Sequence, residues 1–209
     1  ASKPSSYILC VEVNPHTTGS ATAYNVLTCR QYRGACGIGQ VHSPPIVRYN
    51  RFMQVFSGSS NQELAKKIAK MMDTKIGEME ISQFSNGETR VWVREKRIEK
   101  SVVVVQSLSS PTNEHLMEFC LICDALHRGG ATEITALIPW MGYSKQDKVF
   151  RVGEPLSCKV VAQIIQVARP ARIITVDLHN KATLGFFDTP IVELSAKPLL
   201  LEYFRNKIA

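Results

Sequence analysis

The stretch Arg172-Ile173-Ile174-Thr175-Val176-Asp177-Leu178-His179 decides how this chain is read. Its apolar, β-branched run predicts a buried strand that stops at an acid and an imidazole one residue apart. At the carboxyl end of a parallel strand, where open α/β sheets bind ligands, such side chains can meet a divalent cation or a phosphate. A strand ending in solvent would tolerate the same pair, so the reading needs support from elsewhere in the chain.

That support starts with an alternation of strands and helices from Met53 onward. Ser60-Asn61-Gln62-Glu63 reads as a capping box, ahead of a helix with Leu64, Ile68, Met71 and Met72 on one face. Val102-Val103-Val104-Val105 is apolar at every residue, as a strand covered on both faces must be. A helix through Leu116, Met117, Cys120, Cys123 and Leu126 ends at Gly129-Gly130, and Ile134-Thr135-Ala136-Leu137-Ile138 is the next strand. Pro155 opens another helix, with Leu156, Val160, Ile164 and Val167 at helical spacing. A short strand at Ile191-Val192 and a last helix around Leu199 to Phe204 follow residues 173–176. The expected fold is α/β, a parallel sheet with helices on both faces. Val91 and Val93 alternate around Trp92, which adds a flanking antiparallel strand. No internal repeat is present.

Composition narrows the function. Of 209 residues, 44% are hydrophobic and 21% charged, which is ordinary for a globular protein. No apolar run approaches the roughly 20 residues that cross a bilayer, so no membrane partner is expected. The net charge is +7, yet Lys and Arg are scattered and form no stripe with aromatic residues. A phosphorylated small molecule accounts for that balance without nucleic acid. Cys120-Leu121-Ile122-Cys123 has zinc-ligand spacing, but no second pair completes a tetrahedral site. All six cysteines are therefore read as reduced thiols, which fits a cytoplasmic protein.

Residues 1–50 differ from the rest. They contain one acid, Glu12, against Lys3, Arg30, Arg33 and Arg48, and no periodic apolar pattern. This segment is read as an extension without fixed structure; its low acidity also suits organelle targeting. Residues 51–209 are read as one domain.

Three more clusters join Asp177-Leu178-His179: Phe56-Ser57-Gly58-Ser59-Ser60, Phe84-Ser85-Asn86-Gly87-Glu88, and Pro139-Trp140-Met141-Gly142-Tyr143-Ser144-Lys145-Gln146-Asp147-Lys148. Two supporting stretches lie at Pro111-Thr112-Asn113-Glu114-His115-Leu116-Met117-Glu118 and Gly185-Phe186-Phe187-Asp188-Thr189-Pro190. Six motifs in this order resemble the amino-terminal half of ribose-phosphate pyrophosphokinase, the phosphoribosyl pyrophosphate synthetase family. The resemblance implies a phosphoribosyltransferase-like sheet and Mg²⁺-dependent transfer of pyrophosphate from ATP to ribose 5-phosphate. It also implies a homo-oligomer, a hexamer in the family.

The chemistry of the residues suits those tasks. Phe84 can stack on a purine, while Asn86 and Glu88 can read its amine and ring nitrogens; Ser-Asn-Gly is also ordinary turn chemistry. Lys145, Gln146 and Asp147 follow a strand end, where a cation and an amide can meet phosphate oxygens. The family usually has Arg at the position of Lys145, and a planar fork grips phosphate differently from an ammonium. Asp177 and His179 are the expected Mg²⁺ site, one carboxylate completed by ATP oxygens and water. His115 and His127 receive no role. The family's second half brings a basic loop and an acidic Thr-Gly-Gly-Thr loop that grips ribose 5-phosphate. Neither occurs here, so the chain reads as a fragment or truncated product, inactive alone, and no catalytic residue is assigned within it. A non-catalytic regulatory relative associated with the active synthetase is the alternative.

Overall fold

The structure, a computed structural model, describes residues 9–13, 24–28 and 53–208. The chain divides into two units, Ala1–Arg51 and Phe52–Ala209. In the first, β1 (Leu9–Val13) and β2 (Tyr24–Thr28) pair antiparallel, with Val11 opposite Val26. The rest of that extension, and the question of targeting, lies outside the described residues.

The second unit is built on five parallel strands. β3 (Gln54–Ser57), β6 (Ser101–Val105), β7 (Glu133–Ile138), β8 (Arg172–Val176) and β9 (Ile191–Leu194) lie side by side in that order. The run of valines in β6 shows how the sheet is covered. Val102 and Val104 point into a core with Phe119 and Ile122 of α2 (Thr112–Arg128) and Val161 and Ile165 of α3 (Ser157–Val167). Val103 and Val105 point the other way, against Ala65 and Ala69 of α1 (Gln62–Met71). Helices therefore cover both faces, as a continuous apolar strand requires. Phe56, Phe119, Ile122 and Ile165 are fully buried, each worth about 1.5–3 kcal/mol of transfer free energy.

β4 (Met79–Gln83) and β5 (Thr89–Val93) form a separate antiparallel ribbon. The expected flanking strand is thus present, but its partner is β4 rather than an edge of the main sheet. Met79, Ile81, Val91 and Val93 pack on the main core, so Trp92 on the opposite face is half exposed. The chain ends with a 3-10 helix (Lys181–Phe186) before β9 and with α4 (Lys197–Ile208) after it.

Two local readings are corrected. Asn61, not Ser60, stands at the N-cap of α1, with no side-chain cap bond. Ser60 Oγ instead donates to Gln106 Oε1 and accepts the Ser107 N–H, each at 2.7 Å, because buried groups beyond β6 compete for it. The buried residues of α1 are Ala65 and Ala69, whereas Met71 is largely exposed.

Candidate functional site

The loops after β7 and β8 both leave the carboxyl edge of the sheet, where strand ends expose polar residues to one crevice. That crevice encloses about 150 Å³ and is lined by Trp140, Met141 and Lys145 from the first loop and by Asp177, Leu178 and His179 from the second. Lys145 is thereby brought to Asp177 and His179, which lie more than thirty residues further along the chain.

Each loop carries a non-glycine residue in the left-handed region: Tyr143 at φ 60° and Asp177 at φ 42°. Such conformations cost about 1–3 kcal/mol and are held where surrounding contacts over-determine them. Tyr143 is held by its hydroxyl, which donates to Asn113 Oδ1 at 2.5 Å. Gly142 precedes it because no side chain fits: a Cβ there would lie 2.7 Å from Thr112 Cγ2 and 2.8 Å from the Leu108 carbonyl.

Asp177 is held by the loop after β9. Ala196 N–H donates to Oδ2 at 3.0 Å, and Ser195 Oγ donates to Oδ1 at 2.9 Å. The Ala196 amide, then the Ser195 hydroxyl, push the Asp177 carboxyl below its ordinary range, with a smaller effect of the Lys197 charge. Asp177 is therefore ionised at neutral pH and retains lone pairs for a cation. The next amide, Leu178 N–H, donates to Glu193 Oε1 at 2.9 Å. Among the described residues no group of three or more His, Cys, Asp or Glu gathers as in an all-protein metal cage. Mg²⁺ commonly takes one or two carboxylates and fills its shell with phosphate oxygens and water, so this donor set suits it.

The other expected residues are placed differently. Gln146 does not line the crevice; its Oε1 accepts the Ser157 hydroxyl in a short hydrogen bond, and its carbonyl accepts the Cys158 N–H at 3.1 Å. It holds the start of α3. Asp147 accepts from Asn180 Nδ2 at 2.6 Å. Its charge, after burial, pushes the Cys158 thiol up to about 11. Phe84, Asn86 and Glu88 lie at the exposed turn of the β4–β5 ribbon, closed by Phe84 N–H to the Glu88 carbonyl at 2.8 Å. None of the three lines the crevice. Cys120 and Cys123 are free thiols, and Cys123 is buried in the core of α2.

Asn180, Glu193 and Ser195 escaped the sequence reading. Asn180 was legible, since an Asn between a strand end and a helix is an N-cap signal. Glu193 and Ser195 carried no motif, because their roles arise only when β9 is laid beside β8.

Comparison with known proteins agrees with the family resemblance and the fold. Residues 53–168 match the family model described as the N-terminal domain of ribose phosphate pyrophosphokinase. A ribose-phosphate pyrophosphokinase of Bacillus caldolyticus is 41% identical over 155 residues, covering 74% of this chain and 49% of that protein. One from Fusobacterium nucleatum is 40% identical over 162 residues, covering 78% and 51%. The crystal structure of phosphoribosylpyrophosphate synthetase from Mycobacterium smegmatis superposes with a TM-score of 0.69 at 38% identity. It is covered over 51% of its length by 73% of this chain. The chain spans about half the length of the curated relatives it matches.

Proposed function

The chain belongs to the ribose-phosphate pyrophosphokinase family, and on that premise we propose that its crevice binds the triphosphate of Mg²⁺-ATP. The full reaction is transfer of the β,γ-pyrophosphoryl group to ribose 5-phosphate. The anomeric hydroxyl oxygen attacks the β-phosphorus and loses its proton, the bond from that phosphorus to the α,β-bridging oxygen breaks, and AMP leaves. One observation carries the reading: an ionised Asp177, His179 and Lys145 share one crevice at the carboxyl ends of β7 and β8.

Lys145 supplies a cation for phosphate oxygens as a point charge rather than a fork. Asp177, with His179 beside it, would hold Mg²⁺, which when bound neutralises phosphate charge. Phe84, Asn86 and Glu88 stand outside their own chain's crevice. Adenine contacts from them therefore favour a homo-oligomer, proposed here as the family's hexamer, in which a second copy presents its ribbon turn. Ribose 5-phosphate would be gripped by a second domain, and the cytoplasm is the proposed compartment.

The test is a fusion of this chain to the carboxyl-terminal half of a matched relative. It should convert ATP and ribose 5-phosphate to AMP and phosphoribosyl pyrophosphate only with Mg²⁺. Asp177→Asn should lower the rate by about 10–100-fold, and Lys145→Arg should preserve or raise it. A folded fusion that forms no product, with or without Lys145→Arg, contradicts the proposal.

A further inference from the structure

Two loops make the crevice, and one side chain joins them. Asn180 Nδ2 donates to Asp147 Oδ2 at 2.6 Å, linking positions 33 residues apart. Its other atom, Oδ1, accepts the Ala182 N–H at 2.9 Å and so starts the 3-10 helix. The bond lies two residues from Lys145 on one loop and one residue from His179 on the other. It is short and charge-assisted, the stronger class of hydrogen bond, and partly buried, so water competes with it weakly. Among the described residues no Lys or Arg pairs with Asp147.

We propose that Asn180 is a positioning residue: by latching Asp147 it fixes the spacing of Lys145 and His179 across the crevice. The consequence for ligand affinity rests on the proposed function; the latch itself does not.

Three variants separate the two bonds of this side chain. Asn180→Asp keeps an acceptor for the Ala182 N–H but loses the donor to Asp147, whereas Asn180→Ala loses both. The pair Asn180→Asp with Asp147→Asn restores one donor and one acceptor in the reverse direction. Backbone amide hydrogen exchange in the 209-residue chain is the first readout. Asn180→Asp should speed exchange at residues 145–148 and 178–180 together by about tenfold, and the double variant should restore it. Faster exchange confined to residues 181–186, or none, would reduce Asn180 to a helix cap and overturn the latch. The second readout is Mg²⁺-ATP affinity, which Asn180→Asp should weaken by about tenfold. Unchanged affinity in a variant with loosened loops overturns the positioning role. A wild-type chain that binds no Mg²⁺-ATP contradicts the proposed function, while exchange still decides the latch.

Discussion

Glu118 illustrates what a single side chain settles in this fold. It is buried on α2, and its carboxylate accepts from Ser59 N–H at 2.7 Å, Ser59 Oγ at 2.8 Å and Gln106 Nε2 at 2.8 Å. These bonds tie the turn after β3 to the end of β6. Gly58 is required beneath them, since a Cβ there would sit 2.1 Å from Gln106 Oε1, which Ser60 and the network hold in place. Glu118→Ala strands several buried donors and should cost about 2–4 kcal/mol of unfolding free energy, read by chemical denaturation. Asp177 behaves differently because it is exposed and held below its ordinary range. A depressed carboxyl contributes stability above the unfolded value, about 3.9, and loses it as pH falls through the lower folded value. Thermal melts of wild type and Asp177→Asn should therefore differ at pH 6 and converge toward pH 3; a constant gap would show that the Ala196 and Ser195 contacts do not depend on ionisation. The acid and imidazole at the end of β8 were legible because a strand that stops at polar residues stands out. The contacts that orient Asp177 were not, since Ser195 and Ala196 lie eighteen and nineteen residues on.

At the scale of elements, helices were located correctly and some of their faces were not. Of the expected α1 face, Leu64, Ile68, Met71 and Met72, only Ile68 packs on the core, and Leu64, Met71 and Met72 are 37%, 76% and 37% exposed. Alanines fill the centre of the contact, where Val55, Val103 and Val105 stand close beneath the helix, and Ile68 of the expected face packs half-buried beside them. The same happened in α3, where Val160 and Val167 are exposed while Cys158, Val161, Ala162 and Ile165 are buried. Periodicity gives a stripe; only packing distance decides which of two adjacent stripes faces the sheet. Ala65→Leu should therefore cost about 1–3 kcal/mol through overpacking, while Leu64→Ala should stay within about 0.5–1 kcal/mol. The reverse order in denaturation midpoints would restore the larger stripe as the buried one.

At the scale of the molecule, the parallel sheet followed from β6, whose four valines must be covered on both sides, and from helices intervening between successive strands. The antiparallel ribbon was half legible: Val91 and Val93 announced β5, but β4, with Glu80 and Ser82 on its outer face, lacked β-branched density. The crevice emerges only at this scale, because Lys145 and His179 are neighbours through the β7–β8 pairing, in which Ile138 lies beside Thr175. Two larger grooves, one of about 470 Å³ beside Lys66, Lys70 and Lys75 and one of about 410 Å³ beside Trp92, Lys96 and Gly129, gather none of the motif residues. These grooves compete with the crevice as places for a nucleotide, and one measurement separates them. Mg²⁺-ATP is titrated into the ¹⁵N-labelled chain and backbone amide shifts are mapped, with an identical titration lacking Mg²⁺. Binding in the crevice predicts saturable, Mg²⁺-dependent shifts concentrated at residues 140–147 and 177–182; shifts confined to the grooves beside Trp92 or beside Lys66, Lys70 and Lys75, or none at saturating nucleotide, would contradict it.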